Sequence, residues 1–548
     1  MTAAPFDPTA PVSASTTSSS NWIPAGVALA FAGVIAVMVL TPLPPLLDYP
    51  NHLVRFWLLA GGKHVAPLRS MYRIDWSLAS TNIGIDLSVA VLSKLLPFQA
   101  VAKLVLIAAV AGPPAGAVLL SRVVFGRWTW WQITLPILAW TTTALFGFLS
   151  YQVAIALALI FACLEPALDR RPIAGAFIRM AAGVLILVFH PFGLLFYAAL
   201  IIALAIGPKW EGLTGKDRLA RAAWGVAASA LVLIVPLLIL MFTSHNLPGA
   251  NLHSGAGLIG WARITPYMAI LTTLSPLLTY KASVDVMFVM PAIALCLWAA
   301  IERRLTSHAG LLITGIAIGL LALVMPFSLG DAAWLTRRLP LMAAFMICAG
   351  LLPDPWPSRW GRRALAALSL LLVVGRSAWI ADVWSARDRD VRAVEAVLSR
   401  IPAGAAMFAV QSEPENLKNE PVGRYLAGIP ELKSETTLRH VPALVVVERH
   451  AFIPTLFAVP GQQPLRVLPP WKVLSTPGSV VPDVHVLDRP PTALDLEHDP
   501  YIAHWRDRFD YIVLIGADQN DRNGPFNPPA GLTLAADERY AKLYRVVR

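Results

Sequence analysis

The chain has 548 residues, of which 56% are hydrophobic and 14% are charged, and its formal net charge is +11. These values exclude an ordinary soluble globular protein, in which about a quarter of the residues are charged. The positive charge does not indicate a nucleic-acid partner, because the basic residues cluster in short connections between long apolar runs. The composition therefore predicts a polytopic protein surrounded by membrane lipids.

Residues 1–22 are rich in Ser, Thr, Pro and Ala and contain no Lys or Arg. This composition predicts a disordered amino-terminal tail followed by a retained first helix rather than a cleaved signal peptide. Apolar runs long enough to cross a bilayer core of about 30 Å then recur through residues 23–381. They predict about eleven transmembrane helices, near 24–43, 98–120, 128–147, 152–168, 173–189, 191–207, 222–243, 284–301, 310–327, 339–353 and 364–381.

The distribution of Lys and Arg predicts the orientation of these helices. One set of connections carries most of the basic residues: Arg122, Arg127, Arg170, Arg171, Arg179, Lys209, Lys216, Arg218, Arg221, Arg303, Arg304, Arg359, Arg362 and Arg363. The alternate set includes two short turns, near residues 150–151 and 190–193, that have none. The positive-inside rule then places the amino terminus in the cytoplasm and the carboxyl terminus outside.

Three longer connections are expected on the outer side. The first, residues 44–97, contains a predicted surface-lying amphipathic helix at 86–97. The second, residues 244–283, contains the segment 266–280, which could also be an additional crossing, and the third is 328–338.

The composition changes after residue 381. ARDRDVRAVEAVLSR predicts a charged helix, and AMFAV, ALVVVE, YIVLIG and YRVV predict short strands. The expected architecture is therefore an all-α polytopic membrane bundle over residues 23–381, followed by a small α/β extracytoplasmic domain over residues 382–548.

The stretch TPLPPLLDYPNHLVRFW, residues 41–57, places a carboxylate directly after the first apolar run. Pro44, Pro45 and Pro50 predict a stiff, extended segment around Asp48. A carboxylate that is held in this way can act as a general base towards a hydroxyl group. The alternative is that Asp48 or Asn51 caps the following helix.

Further candidates lie on the same side. His52 and Arg55 share a helix face, and Arg55 could hold a phosphate, although interfacial anchoring explains Arg55 and Trp57 equally well. Asp331, Arg337 and Arg338 lie in the third loop, where two adjacent arginines indicate an anionic partner such as a lipid phosphate. An ion pair with Asp331, or ordinary anionic headgroups, would also account for them.

Four other outer residues have structural roles as the default expectation: Asp75 and Asp86 as caps or solvent-facing side chains, and Tyr151 and His190 as packed residues at turns. The sequence contains no HExxH and no CxxC pair, so it demands no metal. A divalent cation remains open, since four acids could converge in space: Asp48, Asp75, Asp86 and Asp331.

The whole pattern resembles the GT-C superfamily of integral-membrane glycosyltransferases, chiefly through LLDYPNH. Members of that superfamily have a long first outer loop, an acidic catalytic residue just after the first helix, and often a carboxyl-terminal outer domain. Many have a second acid at this point, where this chain has Tyr49. The stretches GFLSYQ, VFHPFG and HVPALVVVERHAFIPTLF resemble multi-spanning bacterial proteins, which favours the bacterial inner membrane.

The resemblance implies transfer of a sugar from a polyprenyl-phosphate donor to a glycan, lipid or protein acceptor on the periplasmic face. Asp48 would be the catalytic base, and the donor phosphate or substrate would be bound by His52, Arg55, Asp331, Arg337 and Arg338. Two other classes stay open: a transporter of lipid or solute, and a non-catalytic scaffold with an exported binding domain. A transporter would favour ionisable residues near the bilayer midplane.

Overall fold

The computed structural model describes residues 22–79, 81–207, 214–244, 259–260, 266–329, 334–413, 437–479 and 481–548. The protein is mostly helical. Its helices are α1 (Trp22–Leu40), α2 (Tyr49–Leu59), α3 (Gly84–Leu92), α4 (Phe98–Phe125), α5 (Trp130–Thr134), α6 (Thr142–Leu145), α7 (Leu149–Ala162), α8 (Glu165–Leu168), α9 (Pro172–Phe189), α10 (Pro191–Ile206), α11 (Gly215–Ser244), α12 (Pro266–Thr273), α13 (Ala282–Ile301), α14 (Ala309–Val324), α15 (Leu335–Ala349), α16 (Arg359–Leu398), α17 (Val445–Arg449), α18 (Ala493–His498) and α19 (Trp505–Arg508).

Six of the described helices are long and apolar enough to cross a membrane: α1, α4, α9, α11, α13 and α16. Three shorter apolar helices, α7, α10 and α14, pack among them. These helices are compatible with a multi-pass membrane protein, while the predicted count of about eleven crossings is not established by them. The predicted tail at residues 1–22 lies almost entirely outside the described residues.

One predicted crossing, and one segment that was left open as an additional crossing, have a different form. The run 128–147 is divided into α5, a 3-10 turn at Leu135–Ala139, and α6, because Pro136 follows directly on α5 and cannot donate a backbone hydrogen bond. This irregular backbone is buried in protein, which is where a bilayer tolerates it. In the segment 266–280, α12 has 8 residues, or about 12 Å of helix, which is too short to span.

The described strands are short: β1 (Tyr72–Ile74), β2 (Ile259–Gly260), β3 (Leu305–Ser307), β4 (Ser328–Leu329), β5 (Leu351–Pro353), β6 (Met407–Gln411), β7 (Leu465–Val467), β8 (Tyr511–Ile515), β9 (Leu532–Asp537) and β10 (Ala541–Val546). Four of them form one sheet in the order β6-β8-β10-β9. β6 and β8 are parallel, and β10 is antiparallel to both of its neighbours. The small carboxyl-terminal sheet expected from AMFAV, YIVLIG and YRVV is present.

The expected strand ALVVVE is instead helical. Val441–Leu444 forms a 3-10 turn that leads into α17, and its side chains are buried. The turn packs against α2, so tertiary contacts override the strand preference of the consecutive valines.

The carboxyl-terminal region packs directly on the first loop. α16 begins at Arg359 and continues without a break to Leu398, across the composition change at residue 382. Further along, β7 pairs with β1, with Tyr72 opposite Val467. The buried apolar core is therefore continuous from the helical bundle into the sheet region.

Candidate functional site

A cavity of about 370 Å³ lies around Asp48. Its walls come from segments that are far apart in sequence: Asp48, His52, Arg55, Asn82, Phe148, Leu149, Ser150, Tyr151, His190, Trp334, Arg338, Phe457, Val459, Gln462, Gln463, Pro477 and Gly478. The structure thus brings together four of the predicted site residues, Asp48, His52, Arg55 and Arg338.

The cavity lies at one end of the helical bundle. It forms beyond the end of α1 and between the end of α9 and the start of α10. The first residues of α7 and α15 close two further sides. The region that follows α16 supplies Phe457 and Gln463 to the cavity. This region therefore covers the same end of the helical bundle.

Asp48 is held by its backbone. The Leu47 amide donates to the Leu145 carbonyl (3.0 Å), and the Asp48 amide donates to the Phe146 carbonyl (3.1 Å). Gly147 has φ +77°, and a Cβ there would lie 3.1 Å from the Asp48 nitrogen, so the two segments approach this closely only with glycine.

The side chain of Asp48 makes no capping hydrogen bond to α2, and that of Asn51 makes none either. The capping interpretation is therefore wrong for both residues. Asn51 is fully buried, and its two amide atoms have no hydrogen-bond partner among the described residues.

Arg55 does not anchor at a membrane interface, because it is 1% exposed. Its Nε donates to Asp86 Oδ1 (2.9 Å), and its Nη2 lies 3.1 Å from His52 Nδ1. Its Nη1 is buried without a hydrogen-bond partner among the described residues. Asp86, expected as a cap or a solvent-facing residue, is instead fully buried, because it neutralises this arginine.

Burial lowers the pKa of His52 well below its usual value, and the neighbouring Arg55 lowers it further. His52 is therefore neutral at physiological pH, and its ring is held between Phe56 and Phe457, with centroid distances of 5.9 and 5.4 Å. A neutral imidazole beside Arg55 can accept or donate a hydrogen bond without adding charge.

Arg337 and Arg338, which were expected in the third loop, lie in the first turn of α15 and have different surroundings. Arg338 lines the cavity, and its guanidinium lies over the rings of Phe148 (5.2 Å), Phe192 (5.2 Å) and Tyr151 (5.7 Å). Its Nε is buried without a hydrogen-bond partner among the described residues.

Arg337 points elsewhere: it is buried over Phe146 and is not among the residues that line the cavity. Asp331 lies outside the described residues. Trp334, just before α15, has φ +64°, which is unusual for a bulky residue and sets the direction in which α15 starts.

Tyr151 and His190 have the structural roles expected of them, yet both also line the cavity. The Tyr151 hydroxyl donates to the Arg338 carbonyl (2.6 Å), and His190 Nδ1 accepts from the Phe192 amide (3.1 Å) and caps α10. GFLSYQ and VFHPFG were the only sequence signals for this wall.

The wall from the carboxyl-terminal region overlaps one stretch singled out in the sequence, HVPALVVVERHAFIPTLF, which runs from His440 to Phe457. Besides the lining residues, it contributes His440, whose Nε2 lies 3.8 Å from Asp48 Oδ1. Burial, together with Arg439, lowers the pKa of His440 to about 3, so this imidazole is also neutral.

Two of the four acids considered for a cation have other partners, and Asp331 lies outside the described residues. Asp75 accepts from Ser77 and lies near Arg73 and Arg466, whereas Asp86 is paired with Arg55. Within the described ranges, metal-ligand spacing is found in a group from the carboxyl-terminal region, Asp483, His485 and Asp521. Asp483 accepts from the His485 amide and the Asn523 side chain, and Asp521 accepts from the amides of Asn523 and Glu413. His485 Nδ1 lies 2.9 Å from Asp488 Oδ2.

No protein-family model matches the chain, and no curated protein matches it either. What the cavity can do must therefore be argued from its side chains. It combines a fixed carboxylate, two arginines, the imidazoles of His52, His190 and His440, and aromatic and amide walls. Such a set can take a proton from a hydroxyl group and hold an anionic leaving group.

Proposed function

We propose that this protein is a membrane glycosyltransferase that moves a sugar from a polyprenyl-phosphate donor to a glycan, lipid or protein acceptor. The observation that carries the proposal is the shared cavity of Asp48 and Arg338, which are 290 positions apart in the chain (338 minus 48). An acid and a cation at the same cavity supply the two charges that this transfer requires.

In the proposed reaction, the acceptor hydroxyl attacks the anomeric carbon of the donor sugar. Asp48 takes the hydroxyl proton, the new carbon–oxygen bond forms, and the bond from the anomeric carbon to the phosphate oxygen breaks. The lipid phosphate leaves with the electron pair, and one displacement inverts the anomeric centre. General-base catalysis of this kind contributes roughly 10²- to 10⁴-fold to a rate.

The arginines would bind the phosphate as it leaves. Arg55 Nη1 and Arg338 Nε are both buried without a hydrogen-bond partner among the described residues. Buried donors of this kind are unfavourable when unpaired, and a phosphate would satisfy them with charge-assisted hydrogen bonds.

The position of the cavity supports a donor that is anchored in lipid. Since the cavity lies at the ends of helices, a phosphate there would be at the membrane–water boundary while its isoprenoid chain stayed in the bilayer. A transporter would instead need its polar site near the midplane. Under the positive-inside rule this end faces the periplasm of a bacterial inner membrane.

The test is turnover by the purified full chain in lipid nanodiscs, with polyprenyl-phosphate pentoses and hexoses as donors and release of polyprenyl phosphate as the readout. We expect Asp48→Asn to slow release by at least about 100-fold. Asp75→Asn, a matched change outside the cavity, should retain the wild-type rate. Wild-type turnover by a folded Asp48→Asn protein would overturn the proposal, as would a wild-type protein that releases phosphate from none of these donors.

A further inference from the structure

His440 lies close to Asp48 although it belongs to a distant part of the chain, as Arg338 does. It precedes the 3-10 turn Val441–Leu444, which packs on α2, and it is 7% exposed. Its Nε2 faces Asp48 Oδ1 at 3.8 Å. Hydrogen bonds that act in catalysis are often long before substrate binds and shorten in the complex.

The approach of Nε2 to Asp48 favours one tautomer of the imidazole. A carboxylate only accepts hydrogen bonds, so an approach of His440 to Asp48 is favourable when Nε2 carries the hydrogen. His440 Nδ1 then has a lone pair, and this atom is buried without a hydrogen-bond partner in the part of the chain that the structure describes. The contact of Nε2 with Asp48 is therefore the polar contact that the His440 ring makes at this position.

The ring of His440 is held in place by aromatic packing. Phe457 contacts His440 edge-on with centroids 5.6 Å apart, and it contacts His52 in the same way at 5.4 Å. One phenyl ring therefore fixes the two imidazoles on either side of the Asp48 region.

We propose that His440 is a positioning residue, which holds the Asp48 carboxylate through Nε2–H so that the site is complete only when residues 437–479 pack on α2. This inference rests on the proposed function, since it assumes that Asp48 acts as the base. It assigns a role in the reaction to the carboxyl-terminal region, and that role is to fix the direction of the carboxylate.

The experiment compares His440→Ala and His440→Gln with wild type in the turnover assay with polyprenyl-phosphate sugars. We expect His440→Ala to lower kcat by about 10- to 100-fold, as for a hydrogen bond to a charged group, with KM for the donor within twofold of wild type. His440→Gln should recover part of kcat, because its amide can donate to the same carboxylate.

Two further readouts separate positioning from a general structural role. In the double variant Asp48→Asn/His440→Ala, kcat should equal that of Asp48→Asn, because His440 acts only through Asp48. The acid limb of the kcat–pH profile should move to higher pH in His440→Ala, since the carboxylate loses a donor to its charged form.

The matched control is His450→Gln. His450 belongs to the same region and stacks on Trp57 with centroids 5.9 Å apart, away from the cavity. It should show wild-type kcat.

If His440→Ala does not fold, His440→Leu, which fills the space but cannot donate a hydrogen bond, takes its place: an unchanged kcat and an unchanged acid limb overturn the inference. Wild-type kcat in His440→Ala, with Asp48→Asn inactive, would also overturn it and leave the proposed function intact. An active Asp48→Asn protein would instead remove the proposed function itself.

Discussion

The ion pair of Asp285 with Arg376 and the cavity shared by Asp48 and Arg338 both bring an aspartate and an arginine together, and they differ in what the arginine does. Arg376 in α16 is fully buried and donates to Asp285 Oδ1 (2.7 Å), to the Ile137 carbonyl (2.9 Å) and to the Leu277 carbonyl (2.8 Å). Asp285 in turn accepts from the Thr279 amide and hydroxyl. These partners tie α13 and α16 to the irregular segment between α5 and α6.

Arg338, at the Asp48 cavity, lies among aromatic rings, and its Nε has no hydrogen-bond partner among the described residues. The comparison shows that a buried arginine is not in itself a sign of function. Arg376 Nε is also buried without a partner among the described residues, but the other donors of Arg376 are bound by the fold. Arg338 differs because it lines a cavity in which a ligand can reach its donors. Four experiments test this distinction between structural and ligand-binding side chains.

The largest effect is expected for Arg376→Met. Removal of this guanidinium leaves Asp285 buried and uncompensated, which costs about 3–5 kcal/mol in the free energy of unfolding. Thermal and denaturant unfolding in detergent would measure the loss. Arg338→Met is the companion variant, and we expect its free energy of unfolding to fall by no more than about 1 kcal/mol for each lost cation–π contact. Equal stabilities for the two variants would remove the distinction.

Next in size is the loss of phosphate binding in Arg338→Gln. Charge-assisted hydrogen bonds contribute about 1.5–3 kcal/mol, so affinity for a polyprenyl monophosphate should fall roughly 10- to 100-fold. Isothermal titration calorimetry in detergent would measure it. Arg362→Gln is the control, because Arg362 is half exposed and forms a surface ion pair with Asp354. A fall in affinity that is equal in both variants would indicate a nonspecific charge effect.

The pH dependence of stability tests the buried imidazole of the cavity. The folded pKa of His440 is about 3, below the unfolded value of about 6.5. Between these values the unfolded state binds the proton and the folded state does not, so stability falls as pH falls from 6.5 to 3. The slope from this group is at most about 1.4 kcal/mol per pH unit. His440→Gln should reduce the slope, and an unchanged slope would show that His440 titrates normally.

The smallest change in stability is expected for Gly147→Ala. The positive φ and the close Asp48 nitrogen make a side chain unfavourable there by about 1 kcal/mol. The segment that carries Asp48 should shift. Turnover should therefore fall clearly, while the melting temperature should change little. Gly126→Ala, which also has a positive φ but nothing within 4 Å of its Cβ, controls for backbone strain alone. Identical turnover in both variants would show that Asp48 tolerates movement.

The sequence predicts the helices best where apolar length dominates, as in α1, α4 and α13, because the bilayer imposes that pattern. It also predicts the segment around Asp48, since proline acts locally. Pro136 is likewise a local signal for the break at residues 135–139, but the burial of that irregular backbone depends on helices that are distant in sequence and could not be predicted.

The site was predicted in part for the same reason. Asp48, His52, Arg55 and Arg338 stand out as charged or polar residues beside apolar runs. The burial of Asp86 and the contact of His440 with Asp48 join positions far apart in the chain, and periodicity carries no information about such pairs. The stretch ALVVVE shows the opposite case. Its residues favour a strand, but packing on α2 makes it helical.

The most direct measurement is a cryo-EM reconstruction of the full chain in nanodiscs with an added polyprenyl monophosphate. We predict density for the phosphate at the cavity, within hydrogen-bond distance of Arg338 or Arg55 and adjacent to the Asp48 carboxylate. Phosphate density elsewhere on the protein, with the cavity around Asp48 filled by water alone, would contradict it.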